Sequence, residues 1–322
     1  MKILTKLTPI ATAVLLSTVT ISAQAEEKAP LSISGFVDMS YYFVDEDGSE
    51  SSLTSGLDQA EINLGYDFGN KLTVHLDIEY QNADQGVDLE QAYITYGLTN
   101  NISIKAGRFL SYSGFESEEP TGLYQYSGTG YAPYFYGYYQ QGISGIYSAE
   151  KFSIAVSLVN DLAGPQASDA KSPAIETMFA FMPTQEITVK AFYSSDELAT
   201  GEDVTLINAW ASYAKDALTL GAEYNVSENA PAYSGTHGVD SDATGYLAMA
   251  NYAFTNKVGL TLRYHAYEIE NSAGNIVEDS SGITISPSYT VNDNLLMVFE
   301  YRMDEINDID ATSFAVEALI TF

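Results

Sequence analysis

The chain contains no cysteine, so neither a disulfide framework nor a thiolate metal site can form within it. An exported protein without thiols can cross an oxidising compartment unfolded without forming stray bridges. Proline is scarce, with nine residues, and there is one tryptophan against 25 tyrosines. That balance favours β-structure over disorder. Basic residues are few: 13 lysines and arginines face 43 acids, for a net charge of −30 at pH 7. Such a polyanion lacks the basic surface that nucleic-acid binding needs, and it attracts cations and repels anions. Beyond residue 25 no stretch approaches the ~18 consecutive apolar residues of a transmembrane helix. Only His75, His237 and His265 could act as imidazole bases, and no serine sits in a recognisable nucleophile motif. Catalytic residues, cofactors and a bound metal are therefore not expected.

What is present begins with a targeting signal. Lys2 and Lys6 precede an apolar run from Ile10 to Ile21, and Ala23-Gln24-Ala25 follows it. A positive region, a short hydrophobic region and an A-x-A site make a secretory signal peptide, expected to be cleaved after Ala25. The run is too short and too rich in Thr and Ser to be an anchor. Residues 1–25 are thus read as the signal and 26–322 as one domain.

The last stretch sets the pattern for that domain. Phe314, Val316, Ala318, Ile320 and Phe322 share one face of an extended strand, and Ser313, Ala315, Glu317, Leu319 and Thr321 share the other. The same period of two starts at Leu31, where Ile33, Val37, Met39, Tyr41 and Phe43 oppose Ser34, Asp38 and Ser40. It recurs in segments 59–68, 72–80, 90–98, 102–110, 141–147, 152–160 and 174–182. It continues through 187–193, 204–213, 218–226, 245–254, 258–268, 283–291 and 295–303. Alternation is least clean in 141–147 and 174–182. The count of 16 is even, as bacterial single-chain barrels require, and predicts an all-β, antiparallel, up-and-down transmembrane barrel.

Connection lengths support the same architecture. Links after even-numbered strands are short, such as Gly69-Asn70 and Lys215-Asp216, and links after odd-numbered strands are mostly longer. Short turns on one rim and long loops on the other are the asymmetry of outer-membrane barrels, for which a soluble β-sandwich has no reason. Aromatics on the apolar face gather at both ends. Phe43, Tyr80, Tyr193, Tyr224, Phe299 and Tyr301 lie toward the long loops, and Tyr66, Phe68, Tyr96, Tyr252, Tyr289 and Phe322 toward the short turns. Two girdles flanking an aliphatic band mark the membrane interfaces. The opposite face carries Asp38, Glu61, Asp77, Glu79, Lys105, Lys190, Glu223, Arg263, His265, Glu300, Arg302 and Glu317. So many ionisable groups cannot share a dry core, but they can line the water-filled lumen of a barrel of about 16 strands.

The longest connection, residues 111–140, holds eight tyrosines and the acids Glu116, Glu118 and Glu119. A loop of that length needs a purpose. It follows the fifth strand and is expected to fold into the lumen and narrow it. Around it, Ala106-Gly107-Arg108-Phe109, Gly114-Phe115-Glu116 and Gln141-Gly142-Ile143 resemble the outer-membrane porins of the OmpL-like and phosphate-selective O/P type. Ending on Phe322 resembles the signature that the barrel-assembly machinery reads in such proteins. The resemblance implies passive diffusion of small hydrophilic solutes and ions across the outer membrane of a Gram-negative bacterium, with a homotrimer and contact with lipopolysaccharide as further expectations. Anion selectivity does not carry over, because no lysine-rich constriction is present. The constriction is assigned to Glu116, Glu118 and Glu119 facing Lys105, Arg108, Arg263 and Arg302, with a weak preference for cations. The alternatives are an adhesin or ligand-binding barrel acting through acidic loops such as Asp45-Glu46-Asp47, and a barrel enzyme.

Overall fold

The computed structural model describes residues 30–82, 86–116, 119–162, 173–198 and 200–322. The signal-peptide assignment and Glu118 lie outside these residues. The described chain forms 16 strands: β1 Leu31–Glu46, β2 Ser52–Gly69, β3 Leu72–Gln81, β4 Gly86–Gly97, β5 Ile102–Leu110, β6 Tyr139–Ser148, β7 Phe152–Val159 and β8 Ala174–Phe181. They continue as β9 Ile187–Glu197, β10 Asp203–Lys215, β11 Leu218–Glu228, β12 Asp242–Ala253, β13 Val258–Glu270, β14 Ile276–Asn292, β15 Leu295–Ile306 and β16 Ile309–Thr321. Each strand pairs with its sequence neighbours, and β1 pairs with β16 to close the barrel. Every pairing is antiparallel.

Period-two alternation places the faces. In β10, Val204, Leu206, Asn208 and Trp210 are buried while Ile207, Ala209 and Ala211 between them are exposed. The exposed set around the barrel is Leu, Ile, Val, Phe and Tyr, a surface suited to hydrocarbon. At the seam Phe36 faces Thr321 and Phe43 faces Phe314. Gly35 and Phe322 exchange backbone hydrogen bonds of 3.1 and 3.0 Å. A side chain at Gly35 would strike the Phe322 ring at 2.8 Å and the Glu61 carbonyl at 2.2 Å, so glycine is required at this corner.

The strands overrun the expected boundaries on the long-loop side. The link expected over residues 304–311 is a two-residue turn at Asn307 and Asp308, both with positive φ. β1 reaches Glu46 and β14 begins at Ile276, where the sequence suggested loop. These extensions are rich in acids and serines, such as Asp45, Glu46, Glu278, Asp279, Ser280 and Ser281, so the apolar alternation fades there and reads as loop. Segment β8, whose pattern looked irregular, alternates cleanly in burial. Its inner face carries Ala174, Met178 and Ala180, apolar because they pack against other residues inside the barrel.

The two-faced design gives a direct expectation. Val156, half exposed in the middle of β7, faces lipid. Val156→Arg should destabilise the barrel in liposomes by about 2–4 kcal/mol, the cost of a mid-bilayer arginine on a barrel's outer face. Thr73→Arg, on the inner face beside Asp67, should cost less than about 1 kcal/mol. Urea unfolding followed by tryptophan fluorescence reads both values.

Candidate functional site: the inner loop and the passage beside it

Residues 111–116 and 119–138, which follow β5, pack against inward-facing side chains of the barrel. Their root is held by Glu176 of β8, which is fully buried. It accepts hydrogen bonds from the Tyr112 amide at 3.1 Å, from Gln140 Nε2 at 3.1 Å and from the Ser111 hydroxyl. Deeper along the loop, Glu223 of β11 gathers a second set of donors. The Phe115 amide reaches it at 2.7 Å, Tyr131 Oη at 2.6 Å and Asn208 Nδ2 at 2.6 Å, and the Tyr136 hydroxyl completes the set. Burial raises the phenol pKa of Tyr131 and Tyr136, and the Glu223 carboxylate adds to the effect. Both phenols therefore remain protonated donors at neutral pH.

Apolar packing supplies the rest of the attachment. A short helix, α1 Ala132–Phe135, buries Tyr134 and Phe135. With Tyr131 they cluster with Ala243, Leu247, Met249, Tyr267 and Ile269 of β12 and β13. Two glycines make the room. A Cβ on Gly245 would meet the Phe135 ring at 2.5 Å, and one on Gly221 would meet the Phe115 ring at 2.1 Å. Phe115 also stands edge-on to Trp210, with ring centroids 5.6 Å apart. The loop is keyed into the inner wall by rings filling glycine slots.

The charged residues singled out from sequence divide by role. Glu116 and Arg263 meet directly, with Nη1 2.5 Å from Oε1. Arg263 also donates to the Ser127 carbonyl at 2.6 Å and to Thr284 Oγ1 at 3.0 Å. Arg302 donates to the carbonyls of Gly128 at 2.5 Å and Thr129 at 3.2 Å while pairing with Asp304 at 2.6 Å. Both arginines thus hold the loop tip. Lys105 lies apart from them, its Nζ 4.8 Å from the Tyr93 and Tyr112 ring centroids and 5.2 Å from that of Phe109. Arg108 lies against the Tyr139 ring at 5.9 Å and borders a recess with Gln141 and Asn160. Glu119 accepts from Tyr139 Oη at 2.8 Å and from Gln59 Nε2 at 2.9 Å, so it touches the β2 wall. The two loop acids therefore face different walls.

Sequence reasoning did not single out Glu176, nor the glycine slots, and it treated Glu223 as one lumen acid among many. The irregular polarity of β8 was the available sign, since an apolar inner face means something packs against it. The resemblance motif also finds its physical meaning here. Gly107 faces Gly142 across β5 and β6 at the loop's two roots. Gly114 lies against the Tyr136 ring, Phe115 fills the Gly221 slot and Glu116 binds Arg263.

Beside the loop an open cavity of about 460 Å³ remains, bounded by Asp38, Tyr42, Asp58 and Gln59 on the β1–β2 wall and by Glu116, Tyr126 and Gly128 on the loop. Tyr126 Oη bridges the two sides, 3.0 Å from Ser40 Oγ and 3.3 Å from Asp58 Oδ2. The buried acids Asp38, Glu61, Asp77, Glu79, Glu90, Glu300 and Glu317 all lie on β1–β4 and β15–β16, around this side of the lumen. Each imidazole is held by a neighbour: His75 bonds Asp77 at 2.9 Å, His237 bonds Glu278 at 2.9 Å, and His265 accepts from Arg302 at 3.4 Å.

The comparisons with known proteins agree with this architecture. The anion-selective porin from Comamonas acidovorans superposes with a TM-score of 0.69 at 13% identity, over 91% of this chain and 99% of that one. OmpF of Salmonella typhi, solved with daunomycin, gives 0.70 at 16% identity, over 91% and 97%. A loop-deletion mutant of OmpT, an outer membrane protein of Vibrio cholerae, gives 0.67 at 15% identity, over 91% and 100%. At these identities the likeness is one of fold. No curated relative matches in sequence. The family described as "Putative beta-barrel porin-2, OmpL-like" matches residues 30–321, and the chain belongs to that family of bacterial outer-membrane β-barrel porins.

Proposed function

We propose that the protein is a passive diffusion channel for small hydrophilic solutes and ions, weakly selective for cations, and not an enzyme. The observation that carries this reading is the distribution of charge around the open cavity. Among the described residues its walls hold Asp38, Asp58 and Glu116 and no lysine or arginine. Glu116 is compensated by Arg263, which leaves Asp38 and Asp58 to set the local potential. A cation entering a narrow, low-dielectric passage gains from such a field, and an anion is repelled. The Comamonas porin is described as anion-selective. The acidic wall here argues for the opposite sign on the same fold.

On this reading residues 1–25 direct export, Phe322 addresses the assembly machinery, and the outer surface meets lipopolysaccharide. A trimer is consistent with the trimer form described for OmpT of Vibrio cholerae. Transport follows the solute gradient, limited by the width left between loop and β1–β2 wall. The adhesin alternative draws only on the acidic rim, whereas the open cavity beside the loop favours passage.

Two measurements follow. In planar bilayers under a KCl gradient, the reversal potential should show potassium favoured over chloride by about two- to fivefold, falling toward parity in the double variant Asp38→Asn, Asp58→Asn. Chloride preference in the unaltered protein would contradict the assignment. Filling the slot that seats Phe115, by Gly221→Leu, should loosen the loop and raise single-channel conductance by about twofold, with faster liposome swelling for larger sugars. Arg263→Ala should act in the same direction by releasing Glu116 and the loop tip.

A further inference from the structure

We propose that Glu61, Glu90 and Glu119 form a binding site for a divalent cation of the calcium type, which ties the inner loop to the wall of β2 and β4. One carboxylate oxygen from each lies within 4.8 Å of the others. Two oxygens bound to one calcium at about 2.4 Å each can be at most about 4.8 Å apart, so every pair of the three lies within the span that a shared ion sets. They come from three separate elements, β2, β4 and the loop. An all-oxygen, all-carboxylate set selects a hard cation with tolerant geometry, which favours calcium over the stricter magnesium.

Independent of their proximity, one oxygen in each of two of these groups lacks a donor. Glu61 is 3% exposed and Glu90 is 4% exposed, and Oε2 of each is buried without any hydrogen-bond donor. Among the described residues no lysine or arginine pairs with either one. Glu79 stands directly across from Glu61 and adds to the uncompensated charge. The remaining oxygens are fixed in place. Asn63 Nδ2 donates to Glu61 Oε1, and Gln59 and Tyr139 hold Glu119 at 2.9 and 2.8 Å.

The backbone makes a special arrangement to bring Glu90 there. The β3–β4 register passes from Asp77 opposite Gln91 to Ile78 opposite Leu89, which leaves Glu90 as the extra residue of a β-bulge. Bulges re-aim a side chain at the cost of local pairing. Aiming a glutamate at two others only raises repulsion unless a cation, or shared protons, offsets it. The site was invisible in the sequence because bulge and loop contact together create it. The inference concerns binding, and it stands or falls separately from solute passage.

The test uses the barrel purified in detergent, freed of lipopolysaccharide, stripped with EDTA and titrated with CaCl2 in a calorimeter. The unaltered protein should take up calcium at one saturable site per chain, and calcium should raise its thermal midpoint. Glu90→Gln should weaken that site by about tenfold or more and abolish the thermal shift, while Asp45→Asn on the outer rim leaves both unchanged. If Glu90→Gln does not fold, Glu119→Gln on the loop provides the same comparison. The proposal is overturned if no saturable site appears, or if the variants bind calcium as the unaltered protein does. It is also overturned if Glu90→Gln gains stability without calcium and none is bound, which would mean the carboxyls share protons instead.

Discussion

Inside a bilayer every backbone N–H and C=O must find a partner within the protein, and a sheet meets that demand only by closing on itself. The pairing of β1 with β16, with Gly35 and Phe322 locked at its base, is therefore what the rest of this molecule depends on. Once the sheet is closed, alternation sorts each strand without further instruction. The outer face meets lipid, and the inner face is released from any need to be apolar. That release lets seven buried acids stand on six strands of one wall.

The inner loop divides the space that closure creates. Over β7–β13 it covers the wall with tyrosine and phenylalanine, seated in glycine slots and fastened by Glu176 and Glu223. Toward β1, β2 and β15 it makes only tip contacts, through Glu119, Tyr126 and residues 127–129, and beside β1–β2 it leaves a cavity with acidic surroundings. Of the basic residues expected to face the loop acids, Arg263 meets Glu116 directly, and it and Arg302 also clamp the loop. This arrangement follows from energetics: a guanidinium held in a partly buried wall is best satisfied by several acceptors at close range. Arg263 and Arg302 find them in the turn formed by residues 127–129.

Much of this was legible in the sequence. Strands such as 72–80 and 218–226 combine clean alternation with tight turns, so number, order and facing could all be read. Strand ends on the long-loop rim could not, since the β15–β16 hairpin continues through Asp304, Glu305, Asn307, Asp308 and Asp310, a run that reads as loop. Glu116 and Arg263 could each be named, but their direct contact could not, because it depends on where a 28-residue connection settles between distant strands. Gly221 and Gly245 carried no signal of their own within segments 218–226 and 245–254, and they prove to be the seats of Phe115 and Phe135.

The central claim is that the loop covers one wall and leaves the other open to water and ions. The absence of native cysteine makes thiol accessibility its most direct test. Single cysteines placed by Tyr42→Cys and Leu247→Cys would be exposed to a charged, membrane-impermeant methanethiosulfonate during single-channel recording. The account predicts that current falls on modification at position 42 and is unaffected at position 247, beneath α1. Block at 247 with none at 42 would place the passage on the wrong side of the loop and contradict it.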